Sequence, residues 1–142
     1  MADYLLGIDL GTSSAKILLI DTSGKQIALE ATEYNVSSPV MGYAEQDMEL
    51  LWHLVADTIR RLLKKSNVDP ANIKGIGYSG QMHGIVALDK NNKPIRPAII
   101  WLDRRSSSQM DELKKDDLIS KIRNITLNTP GTGFYLTSLL WL

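Results

Sequence analysis

Residues 4–21 constrain this chain more than any other stretch. YLLGIDL (4–10) and AKILLID (15–21) are two apolar, β-prone runs separated by the four residues GTSS. Such a gap holds no crossover, so a tight turn must join two strands. The first run is apolar on both faces, as a strand inside a covered sheet is. Asp9 breaks the pattern. A carboxylate buried among apolar neighbours without a partner is costly, so Asp9 is expected to meet a metal or hydrogen-bond donors.

The turn supplies a second clue. GTSS can aim successive backbone N–H groups at one point and form an anion-binding nest. Thr12, Ser13 and Ser14 add hydroxyl donors, and Lys16 adds a positive charge just beyond. A carboxylate for a cation beside a donor-lined turn for phosphates is what a Mg-nucleotide site requires. The plainer alternative is a β-hairpin with a polar turn and an Asp that finds a backbone donor. No G-x-x-x-x-G-K-[ST] sequence is present, so phosphate chemistry here is not of the P-loop kind.

A glycine pattern further along points elsewhere at first sight. GIGYSGQMHG (75–84) satisfies G-x-G-x-x-G. A dinucleotide site needs a strand before those glycines and a helix opening on the third. Here the glycines fall within or just after a strand, and QMHGIVALD leaves no room for a helix before the next strand at Ala98. The dinucleotide reading is therefore rejected. His83, between glycines at a strand junction, is placed where backbone can approach a ligand. His53, on the polar face of a helix, is not.

The rest of the chain reads as α/β. QIALEATEY (26–34) alternates as a half-exposed strand does. Met48, Leu51, Trp52, Val55, Ile59, Leu62 and Leu63 recur at helical spacing after a capping Asp47, with Trp52 as core and Lys64 and Lys65 at the C-terminal end. Strands are expected over 73–79, 85–88 and 98–101, a second helix from about Asp103, and a last one in TGFYLTSLLWL. Arg104 and Arg105 fit either phosphate steering or the first turn of a solvated helix, and Tyr78 reads as structural.

Composition excludes several classes. Sixteen basic residues balance sixteen acidic ones, so nothing marks a nucleic-acid or membrane-surface binder. There is no cysteine, hence no disulfide framework and no thiolate metal site. The first apolar run is short and lacks a basic leader, so no signal peptide or membrane span is expected and the cytoplasm is the default location.

The ordered motifs GIDLGTSSAK, GYAEQD before a Trp-bearing helix, SGQMHG, PAIIWLDRR and the closing GF…LLWL resemble the FGGY family of carbohydrate kinases. SGQMHG is similar to the xylulose-phosphorylating branch of that family. The resemblance implies a ribonuclease-H-like (actin-like ATPase) α/β domain, a mixed sheet with flanking helices. Residues 1–142 would then be the N-terminal part of the first kinase domain, with the rest of that domain and the second domain further on. It implies ATP and Mg²⁺ as cofactors, with Asp9 on the Mg²⁺–phosphate unit and Gly11, Thr12, Ser13 and Lys16 lining the phosphate pocket. Gln81, Met82, His83, Trp101 and Asp103 would meet the sugar. The substrate would be a ketopentose, D-xylulose first and gluconate still open, in a protein with room for a homodimer. Glycerol is disfavoured, because glycerol kinases carry Arg-Glu where Met82-His83 stands. The general base would be an Asp beyond residue 142, so this stretch alone should not turn over. A non-catalytic actin-like nucleotide-binding module is the rival from another class, and it would have no need of the Met-His pair.

Overall fold

The computed structural model describes residues 2–142 and, at Asp116, the backbone alone. In chain order its elements are β1 (Tyr4–Leu10), β2 (Ser14–Asp21), β3 (Gln26–Glu33), β4 (Glu45–Gln46), α1 (Met48–Ser66), β5 (Ile73–Gly80), β6 (Ala98–Ile99), α2 (Ser107–Leu113), α3 (Leu118–Thr126) and α4 (Tyr135–Trp141). They fall into two compact units, Met1–Asn35 with Glu49–Gln81, and Val36–Met48 with Met82–Leu142.

The first unit is a mixed sheet of order β3-β2-β1-β5. The β1–β2 and β2–β3 pairs are antiparallel, and β5 joins β1 in parallel after α1 has carried the chain back. In the β1–β2 register Leu6 meets Leu19, Ile8 meets Ile17 and Leu10 meets Ala15. Those residues put one face of the sheet against Val55 and Leu62 of α1. Burying a leucine such as Leu62 completely is worth about 1.5–3 kcal/mol. One polar pair sits in this layer. Thr58 of α1 is fully buried, and its hydroxyl lies 2.6 Å from that of Thr32 while donating to the Leu54 carbonyl at 2.7 Å.

Period-2 alternation sends Leu5, Gly7 and Asp9 to the opposite face, together with Lys16 and Leu18 of β2. Within this unit α1 covers only the first face, and Asp9 is exposed. This corrects the expectation of a buried carboxylate: the two apolar faces of β1 differ in cover. Trp52 is a second correction. The buried stripe of α1 runs through Leu51, Val55, Thr58 and Leu62, and leaves Trp52 67% exposed at its margin. Tyr78 also stands exposed on β5.

The second unit is built on short pairings and helices. Among its described residues only β4 and β6 form a ladder, with Glu45 opposite Ile99 and Gln46 opposite Ala98. The strand expected over 85–88 is absent; Ile85 makes one bridge to Ile99 and Leu88 one to Pro94, across a turn capped by Asp89. The second helix begins at Ser107 rather than near Asp103, because residues 101–105 are drawn into a buried cluster described below. The α3 helix, LISKIRNIT, is not among the expected elements.

Candidate functional site

The turn between β1 and β2 is braced from two other segments of the first unit. Gly11 N–H donates to the Ser14 carbonyl at 2.9 Å, and a Cβ on Gly11 would sit 3.2 Å from that same oxygen. Glycine eases this close approach, since a side chain would press that oxygen back by a few tenths of an ångström. The Gly11 carbonyl accepts the Tyr34 hydroxyl at 2.6 Å and Gln81 Nε2 at 3.2 Å. Thr12 Oγ1 donates to Gln81 Oε1 at 3.4 Å, and Tyr34 N–H donates to the Ser13 carbonyl at 2.9 Å. The carbonyls of the turn are thus held back, while Ser13 is exposed and its N–H donates to nothing among the described residues.

Asp9 ends up beside this turn on the open face of β1, where Ser79 Oγ donates to it at 3.2 Å. Lys16 stands across the β1–β2 pair from Asp9, with no ion pair between them. Asp9, Lys16 and Ser79 border an open hollow of about 410 Å³ floored by Gly7, Gly77 and Leu18. Among the described residues no group of three or more His, Asp or Glu is placed to hold a metal. A single carboxylate with a neighbouring hydroxyl suits a Mg²⁺ that keeps its waters and arrives on phosphates, not one in an all-protein cage.

Two residues here were not foreseen in these roles. Tyr34 was read only as the end of a strand. Its hydroxyl pins the turn, and its pKa is raised by burial and, to a lesser extent, by the charge of Asp9. Gln81 was expected at the sugar, yet its amide is bonded at both ends to the Gly11–Thr12 turn.

The second unit gathers the other expected residues. Met82 is 76% exposed, and His83 follows it with φ 66°, in the left-handed region. The imidazole lies flat on Phe134, with centroids 3.9 Å apart and planes within 5°. Its ring nitrogens have no protein partner among the described residues, and an open hollow of about 270 Å³ adjoins it, lined also by Thr126, Asn128 and Thr129. The strand expected over 98–101 ends at Ile99, and Trp101, in the turn that follows, is 45% exposed.

Asp103 behaves differently. It is fully buried, accepting the Ala44 N–H at 2.7 Å and the Arg105 N–H at 2.8 Å. Arg105 also grips it through Nε at 2.9 Å and Nη2 at 2.8 Å. The same guanidinium pairs with Glu45 at 2.7 Å and lies over Tyr43 at 3.7 Å and Trp141 at 4.9 Å. Arg96 completes the cluster on Glu45 at 2.7 Å. Two cations and two carboxylates balance, as buried charges must. Arg105 is therefore neither a phosphate-steering side chain nor part of a solvated first turn. GYAEQD, W-x-D-R-R and LLWL, far apart in sequence, meet around it.

The model for the N-terminal domain of the FGGY family of carbohydrate kinases matches residues 4–142. The chain belongs to the FGGY family. Xylulose kinase of Lactococcus lactis is 43% identical over 140 residues, which cover 98% of this chain and 28% of that protein. Among solved structures, a xylulose kinase from Brucella ovis superposes with a TM-score of 0.90 at 38% identity, over 97% of this chain and 28% of the other. A gluconate kinase from Lactobacillus acidophilus superposes with a TM-score of 0.80 at 28% identity, over 87% and 25%. This FGGY chain thus spans little more than a quarter of the length of the relatives it matches. The mixed sheet is that of the actin-like ATPase fold shared by FGGY kinases. No helix among the described residues is long and apolar enough to cross a membrane.

Proposed function

We propose that the full-length protein transfers the γ-phosphate of ATP to a hydroxyl of a ketopentose, D-xylulose foremost. The observation that carries this reading is the Gly11–Ser14 turn, whose carbonyls are tied back by Tyr34 and Gln81 while the exposed Asp9 stands beside it. A turn so braced presents N–H and hydroxyl donors to an anion and loses little on reorganisation when the anion binds. Gly11, Thr12, Ser13 and Lys16 take the phosphates. Asp9 takes Mg²⁺ carried by the nucleotide, and that ion supplies charge neutralisation on the transferring phosphoryl group. Likeness to xylulose kinases over nearly the whole chain supports the sugar class.

Phosphoryl transfer forms a bond from the sugar oxygen to the γ-phosphorus and breaks the bond to the bridging oxygen of ADP. The hydroxyl proton must go to a base, which we assign to the longer chain. Met82, His83 and Trp101 are the sugar contacts in this reading. The His83 ring nitrogens are free to bond hydroxyls, and Met82 and Trp101 present exposed surface. Asp103 acts one step removed, fixing Arg105 and the backbone that follows Trp101. We assign the protein to the cytoplasm, where ATP for such a reaction is supplied.

The deciding experiment measures ATP-dependent phosphorylation by the full-length protein of D-xylulose, L-xylulose, D-ribulose and D-gluconate. A kcat/KM highest for a ketopentose is expected. Preference for gluconate would replace the substrate, and ATP binding with no acceptor phosphorylated would leave a non-catalytic nucleotide-binding module.

A further inference from the structure

We infer that Phe134 is a positioning residue for His83, and that the Gly131–Phe134 loop exists in this form to hold it there. The inference rests on the reading of His83 as a sugar contact. The two rings are parallel within 5° at a centroid separation of 3.9 Å, which is full van der Waals contact. A face-to-face stack restrains the plane of the imidazole but uses neither ring nitrogen, since both lie on the rim. Those nitrogens have no other protein partner among the described residues. His83 also sits at φ 66°, where a β-carbon is strained, so its backbone is held by its surroundings and not by its own preference. Without Phe134 the imidazole would turn freely about its side-chain torsions and reach a hydroxyl only part of the time.

The loop is built to bring Phe134 to that place. Gly133 has φ 78°, and a Cβ there would lie 2.2 Å from the Trp101 carbonyl oxygen and 2.7 Å from that of Asp103. Backbone therefore rests directly on backbone, which registers the loop against the Trp101–Asp103 segment. Phe134 N–H donates to the Gly131 carbonyl at 3.2 Å. The fully buried Thr137 hydroxyl reaches the carbonyls of Gly131 at 2.7 Å and Phe134 at 3.1 Å. Trp101 and His83 are thereby fixed by one piece of chain, Trp101 through its own carbonyl and His83 through its ring.

A double-mutant cycle in the full-length kinase tests this, with KM for D-xylulose and for ATP read separately. Phe134→Leu should raise KM for the sugar about three- to tenfold, the contribution typical of an aromatic pair. The kcat and the KM for ATP should stay within about twofold of the parent, because the nucleotide turn belongs to other residues. Phe134→Tyr, which keeps a flat ring, should restore the parent KM. His83→Ala should raise the sugar KM at least as much, and Phe134→Leu should then add nothing to it. Should the leucine variant not fold, Phe134→Met serves as the unstacked comparator. An unchanged sugar KM in Phe134→Leu, an equal penalty in the His83→Ala background, or a tyrosine no better than leucine would overturn the inference while leaving His83 at the sugar. An unchanged sugar KM in His83→Ala itself would bring down the contact reading, and this inference with it.

Discussion

The Tyr34 hydroxyl donates to the carbonyl oxygen of Gly11 at 2.6 Å, tying the end of the third strand to a turn 23 residues earlier. The same carbonyl accepts from Gln81, at the end of β5. Two donors on that one oxygen, with the Gly11 N–H turned to the Ser14 carbonyl, fix the backbone of this four-residue turn, in which the Ser13 N–H donates to nothing among the described residues.

Tyr34→Phe should therefore cost about 1 kcal/mol of stability, the net worth of one neutral hydrogen bond, since Gln81 still satisfies the carbonyl. It should also change the alkaline limb. Burial and the Asp9 charge raise the Tyr34 pKa above its ordinary 10.0. A raised folded-state pKa gives stability that is intact below about pH 10 and is lost as pH climbs through the folded value, because the unfolded chain ionises first. Urea midpoints followed from about pH 8 to 11 should fall more steeply in the parent than in Tyr34→Phe. Parallel curves would show that the phenol titrates without linkage to folding.

Much of this architecture was legible in local pattern. Two apolar runs around GTSS, the alternation of QIALEATEY and the helical stripe from Met48 gave β1, β2, β3 and α1 nearly residue for residue, because each sustains one apolar pattern over seven or more residues. The short β4 and β6 pairs carry no period to read. The buried pairing of Asp103 with Arg105 was hidden for a different reason. A charged pair in sequence looks the same whether solvent or Glu45, Tyr43 and Trp141 surround it, and only the tertiary fold decides. The same limit hid Gln81, whose partners are some seventy residues away.

The Arg105 cluster makes a sharp prediction about stability. Asp103→Ala would leave Arg105 and Arg96 sharing the single carboxylate of Glu45, with the Ala44 N–H unpaired as well. Breaking a buried ion pair from one side costs about 3–5 kcal/mol, and in a chain this size that lowers the melting temperature by roughly 10 °C or more. Arg105→Lys should not rescue the parent, since an ammonium cannot bridge Asp103 and Glu45 while lying flat on Tyr43. Thermal melts of the two variants check this. A lysine variant as stable as the parent would mean that charge alone, and not the planar fork, holds the cluster.

Two glycines separate conformational need from coincidence. Gly133→Ala combines a positive φ with a Cβ placed 2.2 Å from the Trp101 carbonyl oxygen, a backbone atom that cannot swing aside. Strain of this kind costs about 1–3 kcal/mol before the loop has moved at all. Gly77 belongs to the G-x-G-x-x-G pattern, yet a Cβ there would meet nothing within 4 Å and its φ is ordinary. Packing in the sheet does not demand a glycine at that position. Gly77→Ala should be neutral or stabilising by up to about 1 kcal/mol, because alanine has less freedom to lose on folding. Denaturation of both variants beside the parent gives the comparison, with Gly133→Ala clearly the lower. Equal midpoints for the two would mean that the 131–134 loop relaxes away from Trp101 without penalty.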